Sequence, residues 1–143
     1  MTEGFFSQLS ADLLRHGHSV RFRTTGESMH PTIRAGDAIT VQPVAPSALR
    51  FADIVLYRTE RSVLAHRVVG RPTAAGARGA FLLRGDACLE CDEPVAEGQV
   101  LGKVVTVERG DRVIALDRRT AKICHLVRLF VYRLKRRVDL IVS

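Results

Sequence analysis

Apolar and polar positions along this chain follow three successive rhythms. Over residues 4–17, Phe5, Phe6, Leu9, Leu13 and Leu14 recur at three- and four-residue spacing, which predicts a short amphipathic helix. From Ser19 to Leu116 the pattern changes to short Val- and Ile-rich runs bounded by Gly, Pro or Asp. These predict strands at 20–24, 38–41, 53–57, 63–69, 80–84, 99–108 and 112–116. Arg109-Gly110-Asp111 is a hairpin turn between the last two, and residues 72–79 read as an exposed hairpin loop. From Asp117 to about Asp139 the helical period returns, with Asp117 as its expected N-cap and Ile123, Val127, Phe130, Val131, Leu134 and Val138 in one apolar stripe.

No strand–helix–strand alternation occurs, so a doubly wound parallel sheet is not expected. Consecutive short strands without intervening helices predict a mainly β fold, a compact and partly closed antiparallel barrel or sandwich. It would carry a short N-terminal helix and a basic C-terminal helix. The corresponding division is 1–18, an N-terminal helical segment; 19–116, the β domain; and 117–143, the C-terminal helix.

Composition narrows the class. The 143 residues suffice for one buried core, and 46% apolar with 26% charged residues exclude a disordered chain. The formal charge of +7 points to an acidic partner, either nucleic acid or an anionic membrane surface. Around the C-terminal stripe stand Arg128, Arg133, Lys135, Arg136 and Arg137. Two readings of that helix stay open: it lies on an anionic membrane, or its stripe packs on the sheet and the arginines are solvated. The N-terminus lacks a basic leader, and no run reaches about 18 uninterrupted apolar residues. A cytoplasmic protein, at most peripheral to the inner membrane face, is expected. Cys88, Cys91 and Cys124 are too few and too scattered for a disulfide framework, and Cys88-Leu89-Glu90-Cys91 lacks further ligands for zinc. Neither metal nor cofactor is expected.

The chemistry concentrates at Gly26-Glu27-Ser28-Met29-His30-Pro31-Thr32-Ile33, followed at once by Arg34-Ala35-Gly36-Asp37. A serine before an apolar Met, a proline that restricts the backbone and a Gly-Asp turn into a strand can hold one hydroxyl rigidly at the mouth of a sheet. This run resembles the Ser-Met-x-Pro-Thr signature of the type I signal peptidases and their LexA-like relatives. Ala52-Asp53-Ile54-Val55, His66-Arg67-Val68, Gly85-Asp86 and Gly102-Lys103-Val104 are similar, in order, to further segments of that superfamily. The resemblance covers about residues 26–105.

A serine hydroxyl needs a base to take its proton. Lysine-type members carry theirs on the strand after the 53–57 run, but the three lysines here, Lys103, Lys122 and Lys135, lie elsewhere. That strand reads Leu64-Ala65-His66-Arg67-Val68-Val69 and resembles the endoplasmic-reticulum and archaeal signal peptidases, whose base is histidine. An unperturbed imidazole, near pKa ~6.5, exchanges protons at neutral pH. His66 is therefore the expected base, with His30 a weaker candidate two residues from Ser28.

By the same resemblance Asp92 would orient His66 and Asp86 would fix the turn or support the site. Exchange of these two roles stays open, with Glu90 and Glu93 as weaker alternatives. The Ser28 N–H is the expected oxyanion donor. Many bacterial members add a hydroxyl two residues earlier, where this chain has Gly26. The resemblance implies a serine endopeptidase that binds an extended peptide or protein segment along a sheet edge and cuts after small residues. The alternatives are a self-cleaving regulatory relative, with Ala74-Ala75-Gly76-Ala77 as the cut segment, and a non-catalytic peptide-binding module associated with a membrane or partner through the C-terminal helix. The 25 residues before the motif cannot hold a helix-turn-helix domain, so nucleic acid is not an expected partner.

Overall fold

A computed structural model describes residues 2–72, 79–116 and 119–142. The Ala74–Ala77 segment, most of the expected 72–79 loop and the expected Asp117 cap lie outside the described residues. The chain runs α1 (Thr2–Arg15), β1 (Val20–Arg23), β2 (Ala38–Gln42), β3 (Ile54–Arg58), β4 (Val63–Gly70), β5 (Ala80–Arg84), β6 (Val95–Ala96), β7 (Val100–Arg109), β8 (Arg112–Ala115) and α2 (Arg119–Val142).

The fold is mainly β, as the alternation predicts. Among the described residues, eight antiparallel strands form a half-barrel sheet in the order β1-β2-β7-β3-β4-β5-β6, with β8 paired to β7. The expected strands end within one residue of the observed ones, and the helices within three. The two-residue β6 carries too short a pattern to be read from the chain, and forms because Val95 and Ala96 pair with Phe81 and Ala80.

Strand alternation builds two cores from one sheet. Along β3, Ile54 and Leu56 enter a cluster with Met29, Ile33, Ile39 and Val107. Val55 and Tyr57 enter the other, with Val68, Phe81 and Leu83. Both faces of β3 are covered, which accounts for its unbroken apolar run. The long β7 pairs with β2 and β3 and brings their backbones close at Gly102. A Cβ there would lie 2.6 Å from the Gln42 carbonyl oxygen and 2.7 Å from Val41 Cγ1, so only glycine fits.

Helix α1 packs on β1 and β7 through the buried Ala11 and Leu14. Helix α2 does not pack by its stripe, which overturns the reading of that stripe as part of the core. Ile123, Val127, Phe130, Val131, Leu134 and Val138 are all exposed, and Leu129 on the opposite face is buried instead. Among the described residues, no helix is long and apolar enough to cross a membrane.

Candidate active site

Three segments meet at the site, each held by a separate physical device. The 28–33 turn is pinned by its own apolar residues, because Met29 and Ile33 are sunk in the first core cluster. The Ile33 N–H closes the turn on the Met29 carbonyl at 3.0 Å. The His30–Pro31 peptide is cis. Ser28 is left half-buried at the rim.

Strand β4 supplies His66, the expected base. His66 pairs across the sheet with Val55, so the two side chains share a face. Tyr57 lies two residues further along β3 on that same face, with its ring centroid 5.8 Å from that of His66. The third segment descends from the end of β5. Its Gly85 makes the closest backbone approach in the site: a Cβ would sit 2.5 Å from the Ser28 carbonyl oxygen, 2.8 Å from Cys88 Sγ and 3.2 Å from His66 Nε2. The Ala87 N–H then donates to the Ser28 carbonyl at 2.9 Å, and the Asp92 N–H donates to the Leu83 carbonyl at 2.8 Å.

These supports align a continuous chain of polar contacts. Ser28 Oγ lies 3.0 Å from His66 Nε2, and His66 Nδ1 lies 2.5 Å from Asp92 Oδ2. The Tyr57 hydroxyl donates to the same Asp92 oxygen at 2.8 Å, and lies 3.1 Å from His66 Nδ1. Burial, followed by the hydrogen bond and charge of Asp92, pushes the Tyr57 phenol well above its ordinary value. The phenol therefore keeps its proton and acts as a donor. With two donors on Asp92, the imidazole is held with Nδ1 toward the acid and Nε2 toward the serine.

Asp86 is placed differently from Asp92. Its carboxylate takes a two-pronged bond from Arg67, Nε to Oδ1 and Nη2 to Oδ2 at 2.8 Å each. The Thr32 hydroxyl adds a bond at 2.6 Å, and Arg67 also reaches the Ala52 carbonyl at 2.9 Å. This buried cluster ties the serine turn to β4 and to the 85–88 turn. Glu90 and Glu93 are exposed. His30 lies against the Tyr132 ring of α2, centroids 5.8 Å apart. Lys103 pairs with Asp53 at 3.4 Å.

The motif pattern does not mark Tyr57; its position two residues from the strand neighbour of His66 is the signal that locates it. In sequence Gly85 belongs only to a Gly-Asp segment, and its close approach to Ser28 is a property of the fold. The thiols of Cys88 and Cys91 are free.

Ser28 opens onto a groove of about 740 Å³. Phe22, residues 24–26 and residues 63–65 of β4 line it, with the buried Met29, Ile33, Ile39 and Leu56 as its apolar floor. Residues 63–65 pair with β3, while the pairing of β4 with β5 begins only at Arg67. At Gly26 a Cβ would meet nothing within 4 Å.

Compared with known families and curated proteins, the chain matches no family model and no curated relative.

Proposed function

We propose that this protein is a serine endopeptidase working through Ser28, His66 and Asp92. The observation that carries this reading is the aligned path from Ser28 Oγ through both nitrogens of His66 to Asp92, at the mouth of a groove. Ser28 Oγ attacks the carbonyl carbon of a peptide bond while His66 Nε2 takes the hydroxyl proton. Asp92 stabilises the resulting imidazolium through Nδ1–H. The proton then passes to the leaving amine, and water, deprotonated by His66, releases the acyl group from Ser28. The Ser28 N–H serves as an oxyanion donor.

The groove favours an extended segment as substrate. Residues 63–65 offer backbone groups for strand-like pairing, and the apolar floor receives alternate side chains. Small residues before the cut are the expected preference, in keeping with the resemblance of the 26–105 region to signal peptidases. The acid role falls to Asp92, and Asp86 holds the turn on which Ser28 depends.

A fluorophosphonate probe and peptides ending in Ala-x-Ala test this reading. Labelling of the intact chain is expected, with loss in Ser28→Ala and loss or severe slowing in His66→Ala. Absence of labelling and of peptide turnover at every pH from about 6 to 9, the range over which imidazole acts as a base, would falsify it.

A further inference from the structure

We propose that the outward face of α2 is a docking surface for an anionic lipid bilayer. The inference is independent of the peptidase reading, because it rests on how this helix is mounted. Its inner row is Leu129, Tyr132, Arg133 and Arg136, at i, i+3, i+4 and i+7. Leu129 is buried and Tyr132 faces His30. Arg133 Nη2 donates to the Cys88 carbonyl at 2.9 Å and to the Asp86 carbonyl at 3.2 Å, and Arg136 reaches the Ala87 carbonyl at 3.4 Å. Burial, and after it the charge of Arg84, lowers the pKa of Arg133 from its ordinary value. The helix is thus strapped across the 85–88 turn by its polar side.

That mounting turns the apolar stripe outward. Ile123, Val127, Phe130, Leu134, Val138 and Ile141 follow the spacing of a single helix face and are 50–83% exposed. Arg137 stands on one margin of the stripe, and Arg128 and Lys135 stand on the other. From residue 123 onward α2 carries five basic residues and one acid, Asp139. An outward apolar stripe between basic margins is the form of a helix that lies in the plane of a membrane interface. The helix spans about 36 Å at 1.5 Å per residue. Charge distinguishes among occupants: two copies packed stripe to stripe would bring basic margins together, whereas anionic headgroups neutralise them. Docked in this way, the helix would hold the Ser28 site at a fixed height above the bilayer through its inner arginines.

Flotation of the full chain with two kinds of vesicle tests the proposal, phosphatidylcholine alone and phosphatidylcholine mixed with phosphatidylglycerol. At low salt the mixed vesicles are expected to carry at least about tenfold more protein, and high salt should reverse this. Phe130→Ser/Leu134→Ser/Val138→Ser changes only outward side chains, so it should abolish flotation with the thermal midpoint held. Arg128→Glu/Lys135→Glu/Arg137→Glu should do the same while leaving the stripe in place. Recovery on neither vesicle, equal recovery on both, or undiminished flotation of either triple variant would overturn the proposal. So would a dimer in solution that the serine variant converts to monomer, since a second copy would then be the occupant.

Discussion

His66 and Arg67 are neighbours on one strand, yet they serve two regions of opposite character. His66 faces Tyr57 and reaches Asp92, whose side chain is 29% exposed. Arg67 turns to the other side and meets Asp86, with both side chains at 5% exposure or less. Both aspartates come from the same loop after β5. On the His66 side the groups form a chain that runs from Ser28 in the groove lining through both ring nitrogens to Asp92, the arrangement that the proposed proton transfer uses. On the Arg67 side every charged atom is engaged and shielded, which suits an anchor. A buried pair of this kind adds little net stability, but removing one member leaves an uncompensated charge. Strand alternation has sorted a two-residue motif into two halves: under the proposed mechanism, a working half around His66 and a holding half around Arg67.

The sharpest way to break this comparison is to neutralise each acid in turn. Asp92→Asn is expected to lower the rate of peptide turnover by about 10³–10⁴-fold with little change in thermal midpoint. Asp86→Asn should instead destabilise the fold by about 3–5 kcal/mol, measured by denaturant unfolding, while the remaining folded protein still labels at Ser28. Normal turnover in Asp92→Asn, with a folded but inactive Asp86→Asn, would exchange the two roles.

Gly85 joins the two halves, so its substitution should affect both. Gly85→Ala places a methyl against the Ser28 backbone and beside His66 Nε2. Slowing of probe labelling by at least tenfold is expected, together with a stability loss of about 1–3 kcal/mol. Unchanged labelling would show that the 85–88 turn can retreat without disturbing the serine.

Tyr57→Phe makes a finer test of the working half. It removes one donor from Asp92 and keeps the ring in the core. A several-fold fall in kcat with KM nearly unchanged is expected, alongside a stability cost of about 1 kcal/mol. An equal fall in Tyr57→Phe and Asp92→Asn would mean that the phenol, not the acid, sets the imidazole orientation.

The smallest effect concerns a second anchor on the serine turn. Asp37 takes two bonds from Arg109, at 3.0 and 2.7 Å, and Arg109 also approaches the Thr32 carbonyl at 3.3 Å. Burial raises the Asp37 pKa, but hydrogen bonds and charge from Arg109 and Arg34 outweigh it, and the net shift is downward. The unfolded chain therefore binds the proton more readily. The contribution of Asp37 is present above the ordinary carboxylate range and is lost as pH falls through its lowered native value. Asp37→Asn should accordingly flatten the acid limb of stability against pH, read from thermal midpoints between about pH 2 and 6, a range that spans the carboxylates. An acid limb as steep as that of the unaltered chain would remove Asp37 from this role.

Much of the architecture was legible in order along the chain. The short β-branched runs placed seven of the strands to within a few residues, because period-two alternation is a local signal. Ser28 and His66 stood out because motif and residue type coincide, and Asp92 through its resemblance to an ordered segment. What distinguishes Asp92 from Asp86 lies in the fold: both are loop aspartates, and they meet His66 and Arg67 on opposite faces of β4. Tyr57 was invisible as a site residue because its partnership depends on the register of β3 against β4. The α2 stripe shows the same division. Its existence follows from helical spacing, but an amphipathic pattern does not say which face meets the protein. That was decided by Arg133 and Arg136, whose bonds to the carbonyls of the 85–88 turn draw the polar side inward and leave the apolar side to face outward. Local periodicity thus determined the elements and the candidate chemistry, while cross-strand register and side-chain capture, acting between distant segments, decided which residues work together.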